Sequence, residues 1–169
     1  MTFFNPKTMK RLILFRHGKS QWKENVTDQF RSLNEVGEKR TPLVAQRLNE
    51  LLDFEPLYVF SSIATRAKQT AEIVKPIAFP KVAIQFDKDL YTFSHLALKD
   101  WIKKLDNRLD HAIIFGHNPA FTDIAYELGS EFILNVPTSG VVWIEFEIDH
   151  WSEITKGTTK HVIIPKELE

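Results

Sequence analysis

The sequence contains no cysteine, which excludes disulfides, thiolate metal sites and thiol nucleophiles. It also has no excess of charge, because 22 Lys and Arg residues balance 22 Asp and Glu residues. That balance argues against a nucleic-acid-binding protein that works through bulk positive charge, so we expect no nucleic-acid partner. A local basic pocket is still compatible with zero net charge, because net charge says nothing about distribution.

Long apolar runs are also lacking, since none approaches the length of a membrane span. The first ten residues have no hydrophobic core of the signal-peptide kind. We therefore expect no membrane contact and a cytoplasmic location. The 169 residues, 43% hydrophobic and 26% charged, have an ordinary globular composition and fit one domain over residues 1–169. The oligomeric state is left open by the sequence.

Short apolar segments of strand length alternate with segments of helical spacing. Strands are predicted at 10–15, 57–60, 82–86 and 112–115, and helices at 35–52, 64–74, 96–105 and 120–128. Pro42 is expected to bend the first helix or delay its start, and Pro76 to end the second helix. Two late strands, at 141–148 and 160–164, would form an antiparallel C-terminal element. The pattern predicts an α/β protein: a three-layer α/β/α sandwich with a mostly parallel central sheet.

The first strand ends in Arg16-His17-Gly18, a group that a folding core does not need. Ligands bind at the carboxyl ends of strands in open α/β sheets. Arg16 offers a planar fork for phosphate or carboxylate, and His17 a nitrogen nucleophile or an acid–base group. Taken alone, the group is equally compatible with a solvated Arg-His pair at the end of a strand.

Two further segments indicate a site rather than a solvated pair. The fourth strand also ends in glycine and histidine, Gly116-His117, and Arg66 lies in the first turn of the helix that follows the second strand. Helix N-termini favour anions through free backbone N–H groups. Two Arg and two His at one sheet edge would form a pocket for a phosphoryl group whose charge the guanidinium groups balance.

A zinc site is the competing use of two histidines. The sequence lacks the regular ligand spacing and a carboxylate as third ligand, so we expect no metal and no cofactor.

On these residues the sequence resembles the histidine phosphatase superfamily, which has a phosphoglycerate mutase-like fold, and within it the small phosphohistidine phosphatases of the SixA type. Four segments carry the resemblance in the family's order, and a fifth, Pro137-Thr138-Ser139-Gly140, looks familiar. The four segments are Leu14-Phe15-Arg16-His17-Gly18-Lys19-Ser20, residues 28–37 with Asp28, Arg31, Leu33 and Gly37, residues 61–71 from Ser61-Ser62 onward, and Gly116-His117-Asn118-Pro119.

The resemblance implies a role for each matching residue. His17 would be the nucleophile that becomes phosphorylated, Arg16 and Arg66 would clamp the phosphoryl oxygens, and His117 would donate a hydrogen bond to them. Ser20 and Arg31 would shape the entrance and help to bind substrate. Asn118 is interpreted mainly as a helix cap.

The sequence departs from the family pattern where many relatives carry an acid that protonates the leaving group. That position holds Thr92, and the nearby Asp87 and Asp89 are expected to cap or solvate a turn. An alkoxide benefits from a positioned acid by about two to four powers of ten, whereas the nitrogen of phosphohistidine leaves more readily. The missing acid and the little room for inserts therefore favour phosphohistidine on a protein, such as a phosphorelay carrier, as the substrate. A small phosphomonoester, such as a sugar or nucleotide phosphate, and a non-enzymatic phosphate-binding or partner-binding module are the alternatives.

Overall fold

A computed structural model describes residues 8–23 and 25–169. Six strands form one sheet: β1 (Met9–Arg16), β2 (Val59–Ser61), β3 (Ile84–Phe86), β4 (His111–Gly116), β5 (Val141–Glu147) and β6 (Thr158–Ile163). The helices are α1 (Glu35–Leu51), α2 (Thr65–Ala78), α3 (His95–Lys103) and α4 (Ala120–Leu128). Short 3₁₀ turns cover Asp28–Phe30, Lys88–Leu90, Trp151–Glu153 and Pro165–Leu168.

The strand order across the sheet is β3-β2-β4-β1-β5-β6. The first four strands along the chain run parallel, whereas β5 runs antiparallel to β1 and β6 antiparallel to β5. The carboxyl ends of β1, β2 and β4 therefore meet at one edge of the sheet. Because β5 runs the other way, the chain that enters β5 arrives at that same edge.

The core has two apolar layers, one on each face of the sheet, because successive side chains of a strand point to opposite faces. In β1, Leu12 and Leu14 pack with α3 and α4, whereas Ile13 and Phe15 pack with α1 and α2. The centre of β1 is buried on both faces, which is why its sequence reads as an unbroken apolar run. The predicted three-layer sandwich with an antiparallel C-terminal element is confirmed.

The two helix prolines behave differently from the sequence prediction. Pro42 lies inside α1 without delaying the helix, because Asn34 already caps its first turn by accepting a hydrogen bond from the Gly37 N–H (3.0 Å). Pro76 does not end α2, which continues to Ala78. Pro76 lacks only its own N–H bond, and the Phe79 N–H still donates to the Lys75 carbonyl (2.9 Å) at the end of the helix.

The remaining boundaries differ from the predicted ones by a few residues at most, and α4 matches residue for residue. None of the helices in the described part of the chain is long and apolar enough to cross a membrane.

Candidate active site

The sheet brings the two motif histidines together. Strands β1 and β4 are direct neighbours with Arg16 opposite Gly116, so His17 and His117 follow at adjacent strand ends. Their ring centroids lie 5.2 Å apart. Strand β2 pairs with the other side of β4, so α2 begins at the same edge and carries Arg66 in its first turn. The four residues that the resemblance singled out lie in one cluster.

His17 is buried and its protonation state follows from its contacts. Its Nδ1 lies 2.7 Å from the carbonyl oxygen of Gly18, which can only accept a hydrogen bond, so Nδ1 carries the proton. Burial lowers the pKa of His17 to about 3, with further lowering by Arg66 and smaller charge effects, against the raising effect of the Gly18 carbonyl. At neutral pH the ring is neutral, and the lone pair of Nε2 faces Arg66, whose Nε lies 3.4 Å away.

The backbone around His17 is held by three separate segments. Its N–H donates to the Gly116 carbonyl (3.1 Å), and its carbonyl accepts from the Ser139 N–H (3.0 Å). The Gly18 N–H donates to the Thr70 hydroxyl on α2 (2.9 Å). These bonds fix the direction in which the imidazole points.

The segment after His17 also packs tightly against its neighbours. A Cβ at Gly37 would lie 2.4 Å from the carbonyl oxygen of Lys19, so only glycine lets α1 approach this closely. Ser139 has a φ of 61°, in the left-handed region, and its hydroxyl lies 2.9 Å from that of Thr41. The Pro137–Gly140 loop, which looked familiar in the sequence, is therefore part of the support of the site.

Arg16 has an unusual environment. Its Nη1 donates to the Val136 carbonyl (2.8 Å), but its Nε is buried without a hydrogen-bond partner. Burial lowers the pKa of Arg16 from its ordinary value, and the charge of Arg66 lowers it further. A buried donor without a partner costs about 1–3 kcal/mol, so this group is better satisfied when an acceptor is present.

Arg66 is only 2% exposed and is aligned by Asp28. Its Nη1 donates to the Asp28 carbonyl (2.7 Å) and its Nη2 to the Asp28 carboxylate (3.0 Å). The same carboxylate accepts from Arg31 (3.1 and 3.2 Å) and from the Tyr91 hydroxyl. Partial burial favours the protonated form of Asp28, but the hydrogen bonds from Tyr91, Arg66 and Arg31 outweigh it and lower the pKa to about 2. Asp28 is thus a fixed anion at neutral pH.

Ser20 and Arg31 form the expected entrance pair. The Arg31 guanidinium donates to the Ser20 hydroxyl (2.6 Å) and lies 3.6 Å from the centroid of the Trp22 ring. Trp22 is 79% exposed and lines the cavity described below, so it has the position of a rim residue.

His117 is buried and its second nitrogen is bound. Its Nε2 lies 2.8 Å from the Ser62 hydroxyl, which also accepts from the Ala64 N–H (3.1 Å). Burial, with smaller contributions from the nearby His17 and Arg66, lowers the pKa of His117 to about 2. Arg66 Nη2 can only donate and lies 3.4 Å from Nδ1, so Nδ1 accepts, and Nε2 carries the proton of the neutral ring and donates it to the Ser62 hydroxyl.

These groups surround a cavity of ≈310 Å³. His117 is not on its wall but behind it. The wall residues are Arg16, His17, Lys19, Ser20, Trp22, Asp28, Arg31, Arg66, Phe93, Asn118 and Thr138. A larger hollow of ≈630 Å³ beside the β5–β6 connection is lined by Glu145, Glu147 and Glu153, so its charge does not suit a phosphoryl group.

Several residues in or next to this cavity were given no role by the sequence. Asp28 was read only as part of a motif, and Tyr91, Ser62 and Ser139 carried no signal apart from lying in or beside motif segments. The turn interpretation of Asp87 is confirmed, because its carboxylate accepts from the Asp89 N–H and from the Trp101 indole (2.8 and 2.9 Å).

Thr92 and Asn118 also have local partners. The Thr92 hydroxyl accepts from the Ser94 N–H (3.2 Å). Asn118 acts as a cap, because its side-chain oxygen accepts from the Thr122 N–H in the first turn of α4 (3.1 Å). Within residues 8–23 and 25–169, no three His, Asp or Glu side chains are grouped so that they could hold a metal ion.

Comparisons with known proteins agree with this geometry. The model of the histidine phosphatase superfamily (branch 1) matches residues 12–107. A "Probable 2-carboxy-D-arabinitol-1-phosphatase" of Arabidopsis thaliana is 31% identical over 130 residues, which is 69% of this chain and 26% of that protein. The chain thus spans about a quarter of the length of this curated relative.

Two solved structures share the fold. The protein histidine phosphatase SixA complexed with tungstate superposes with a TM-score of 0.79 at 20% identity, over 94% of this chain and 99% of that one. Phosphoglycerate mutase from Bacillus anthracis gives 0.67 at 15% identity, over 96% of each chain. The family model covers more than half of the sequence and contains the Arg16-His17-Gly18 motif and Arg66. The chain therefore belongs to the histidine phosphatase superfamily, in its branch 1.

Proposed function

We propose that this protein is a metal-independent phosphatase that works through a phosphohistidine intermediate on His17 and removes phosphate from phosphohistidine on a protein. The observation that carries the proposal is the hydrogen bond between His17 Nδ1 and the Gly18 carbonyl. It fixes the tautomer in which Nε2 carries a lone pair and no proton, and the low pKa keeps Nε2 unprotonated at neutral pH, where it accepts a hydrogen bond from Arg66 Nε.

The reaction has two displacements. In the first, the lone pair of His17 Nε2 forms a bond to phosphorus, and the bond from phosphorus to the leaving nitrogen breaks with its electron pair on that nitrogen. In the second, water attacks the phosphorus, the bond to Nε2 breaks, and inorganic phosphate leaves. Both transition states spread negative charge over three equatorial oxygens, so most of the catalysis is positioning and charge stabilisation.

Three side chains have the chemistry to stabilise those oxygens. Arg16 offers its unpartnered Nε. Arg66 has both terminal nitrogens bound by Asp28, so its Nε edge is the part directed at His17. His117 would donate to a phosphoryl oxygen from Nδ1 in its other tautomer, in which the Ser62 hydroxyl donates to Nε2. Ser20 and Arg31 would complete the binding of substrate at the entrance.

The nature of the carboxylate in the pocket supports a phosphorus–nitrogen substrate. Asp28 lines the pocket, but its pKa of about 2 leaves it without a proton to donate at neutral pH. An imidazole can leave as a neutral molecule when its second ring nitrogen is protonated, whereas an alkoxide needs a donor.

A small phosphomonoester is the second candidate substrate. It is favoured by the Arabidopsis relative, whose name refers to a phosphorylated sugar acid, and by the ≈310 Å³ cavity, which is at the lower end of the size of small-molecule sites. In that case the leaving oxygen would take its proton from water.

The test is turnover of a phosphohistidine protein and of para-nitrophenyl phosphate by wild type and by His17→Ala. We expect His17→Ala to lose all measurable turnover, because no other imidazole is among the described residues that line the pocket. The exposed His150 provides a matched control, and His150→Ala should retain full activity. A chelator should leave the wild type unchanged.

Two outcomes would contradict different parts of the proposal. Full activity in His17→Ala would remove the nucleophile assignment. Far faster turnover of the phosphomonoester than of phosphohistidine would overturn the substrate while leaving the mechanism intact.

A further inference from the structure

One wall of the catalytic cavity is aromatic, which phosphate binding does not require. Phe93 lies on this wall and is 48% exposed. Its ring contacts Tyr91 edge to face, with centroids 5.8 Å apart, and His117 in the same manner at 5.5 Å. Tyr91 and His117 contact each other at 5.3 Å. These three rings form one mutually packed cluster, of which Phe93 lines the cavity.

The cluster is fixed from behind. The Tyr91 hydroxyl is bound to Asp28, and His117 to Ser62, so two of the three rings cannot turn freely. Phe93 is the member that presents apolar surface to the cavity. It is therefore a pre-positioned apolar contact beside the cationic centre rather than a mobile surface side chain.

A phosphoryl dianion gains nothing from an apolar ring face, so Phe93 must contact another part of the substrate. The phosphoryl oxygens are directed to Arg16 and Arg66, and the group that remains at the cavity mouth is the one attached to phosphorus. Two aromatic rings stack with an offset or meet edge to face at centroid distances of about 4.5–7 Å. A leaving group without a ring, such as an amine or a methyl group, would cover little of this surface.

We propose that Phe93, supported by Tyr91 and His117, binds the planar ring of the leaving group and so selects the imidazole of phosphohistidine. This inference rests on the proposed function, because it names the part of the site that recognises the group left behind when phosphate moves to His17. Phe93 is then a specificity-determining residue. Arg16 and Arg66 contact only the phosphoryl group and do not distinguish between leaving groups.

The experiment uses four small substrates that separate the ring from the bond to phosphorus. N-phosphoimidazole has a phosphorus–nitrogen bond and a ring, and phosphoramidate has the same bond without a ring. Phenyl phosphate and methyl phosphate form the corresponding pair with a phosphorus–oxygen bond. The enzymes are wild type, Phe93→Ala, the ring-retaining Phe93→Tyr and a control, Phe132→Ala, whose side chain is 77% exposed and is not part of the cavity wall.

We expect Phe93→Ala to lower kcat/KM about 10-fold for the two ring substrates and less than twofold for phosphoramidate and methyl phosphate. Phe93→Tyr should restore the wild-type preference, and Phe132→Ala should leave all four values unchanged. Because the preference is a ratio measured within one preparation, partial unfolding of a variant cancels from it.

The inference is overturned if Phe93→Ala lowers all four values equally, which would mean that Phe93 only supports His117, or if it lowers none. A different result would contradict the proposed function. If wild type turns over the two esters but neither phosphorus–nitrogen compound, the phosphohistidine substrate is wrong, and the comparison of phenyl with methyl phosphate still decides whether Phe93 contacts a ring.

Discussion

Two clusters of charged side chains lie at different places on the same sheet and differ in their balance of cations and anions. Away from the site, Arg11 and Lys160 meet Asp53 and Glu145. The Nε of Arg11 lies 3.3 Å from the Glu145 carboxylate, and the Nζ of Lys160 lies 2.8 Å from that of Asp53. Two cations face two anions, and most of these side chains are partly exposed.

At the carboxyl edge of β1, three guanidinium groups lie near one carboxylate, which binds two of them. Arg31 and Arg66 both bind Asp28, and Arg16 has no anionic partner among the described residues. The two histidines in the cluster are neutral, so they do not relieve the excess charge but also do not add to it.

The balanced cluster can stabilise the fold by itself, whereas the unbalanced cluster is suited to bind an anionic ligand. Exposed and balanced pairs contribute little, up to about 1 kcal/mol. Buried cations without matching anions destabilise the empty protein, since desolvation and mutual repulsion are not repaid. A phosphoryl dianion would supply the missing negative charge.

The largest effect is expected when one guanidinium of the unbalanced cluster is exchanged for an ammonium. Arg66→Lys should lower kcat/KM about 10²–10³-fold, because lysine cannot bind Asp28 with two nitrogens and also direct a third at the phosphoryl group. Arg11→Lys is the matched control in the balanced cluster and should stay within twofold of wild type. Steady-state kinetics on one substrate measures both, and equal losses in the two variants would show that the clusters do not differ in this way.

A smaller effect is expected on stability when an oxyanion is added. Tungstate at 100 times its Kd should raise the free energy of unfolding of wild type by about 2.7 kcal/mol, because it binds only the folded site. Denaturant titrations with and without tungstate, at constant ionic strength, measure this. The increase should persist in Arg11→Lys and be largely lost in Arg66→Lys. An equal increase in all three proteins would mean that the anion binds elsewhere.

The smallest effect comes from the neutral histidines of the unbalanced cluster. The pKa of His17 in the folded protein is about 3, below the value near 6.5 of the unfolded chain. As pH falls below 6.5 the unfolded chain therefore binds protons first, and stability is lost progressively down to about pH 3. Between pH 7 and pH 5 this amounts to about 2 kcal/mol for His17, while Asp28 does not titrate in this range.

His17→Ala should lose stability over that pH interval by about 2 kcal/mol less than wild type, as measured by urea unfolding at the two pH values. Titration of the imidazole signals by NMR gives a second measurement, in which His17 should remain neutral at pH 5. A His17 signal that titrates near pH 6.5 would contradict the burial argument.

Much of the arrangement follows from local sequence. The apolar run at 12–15 requires a strand buried on both faces, and a parallel neighbour ending in Gly116-His117 then places His17 beside His117. Arg66 could be assigned because it lies in the first turn of a helix that directly follows a strand. That first turn lies at the carboxyl edge of the sheet.

The supporting contacts could not be read in this way, because they join residues that are far apart in the chain. Asp28 and Tyr91 are 63 residues apart and meet only when the 3₁₀ turn at Asp28–Phe30 packs beside Arg66. Nothing in the sequence around Asp28 says that its carboxylate will bind two arginines and a phenol. The prediction that Pro76 ends the helix was wrong for a simpler reason, since a proline removes only its own intrahelical bond and the Phe79 N–H still bonds to the Lys75 carbonyl.

The bond from Ser139 N–H to the His17 carbonyl has a consequence for the order in which the protein becomes active during synthesis. His17 leaves the ribosome early, but its backbone is fixed by a residue made more than one hundred positions later. Contacts of such long sequence separation form late, because the intervening chain must first be ordered. A nascent chain that ends before Ser139 would carry every proposed catalytic residue and still lack the support that directs His17, so the activity requires synthesis through Ser139.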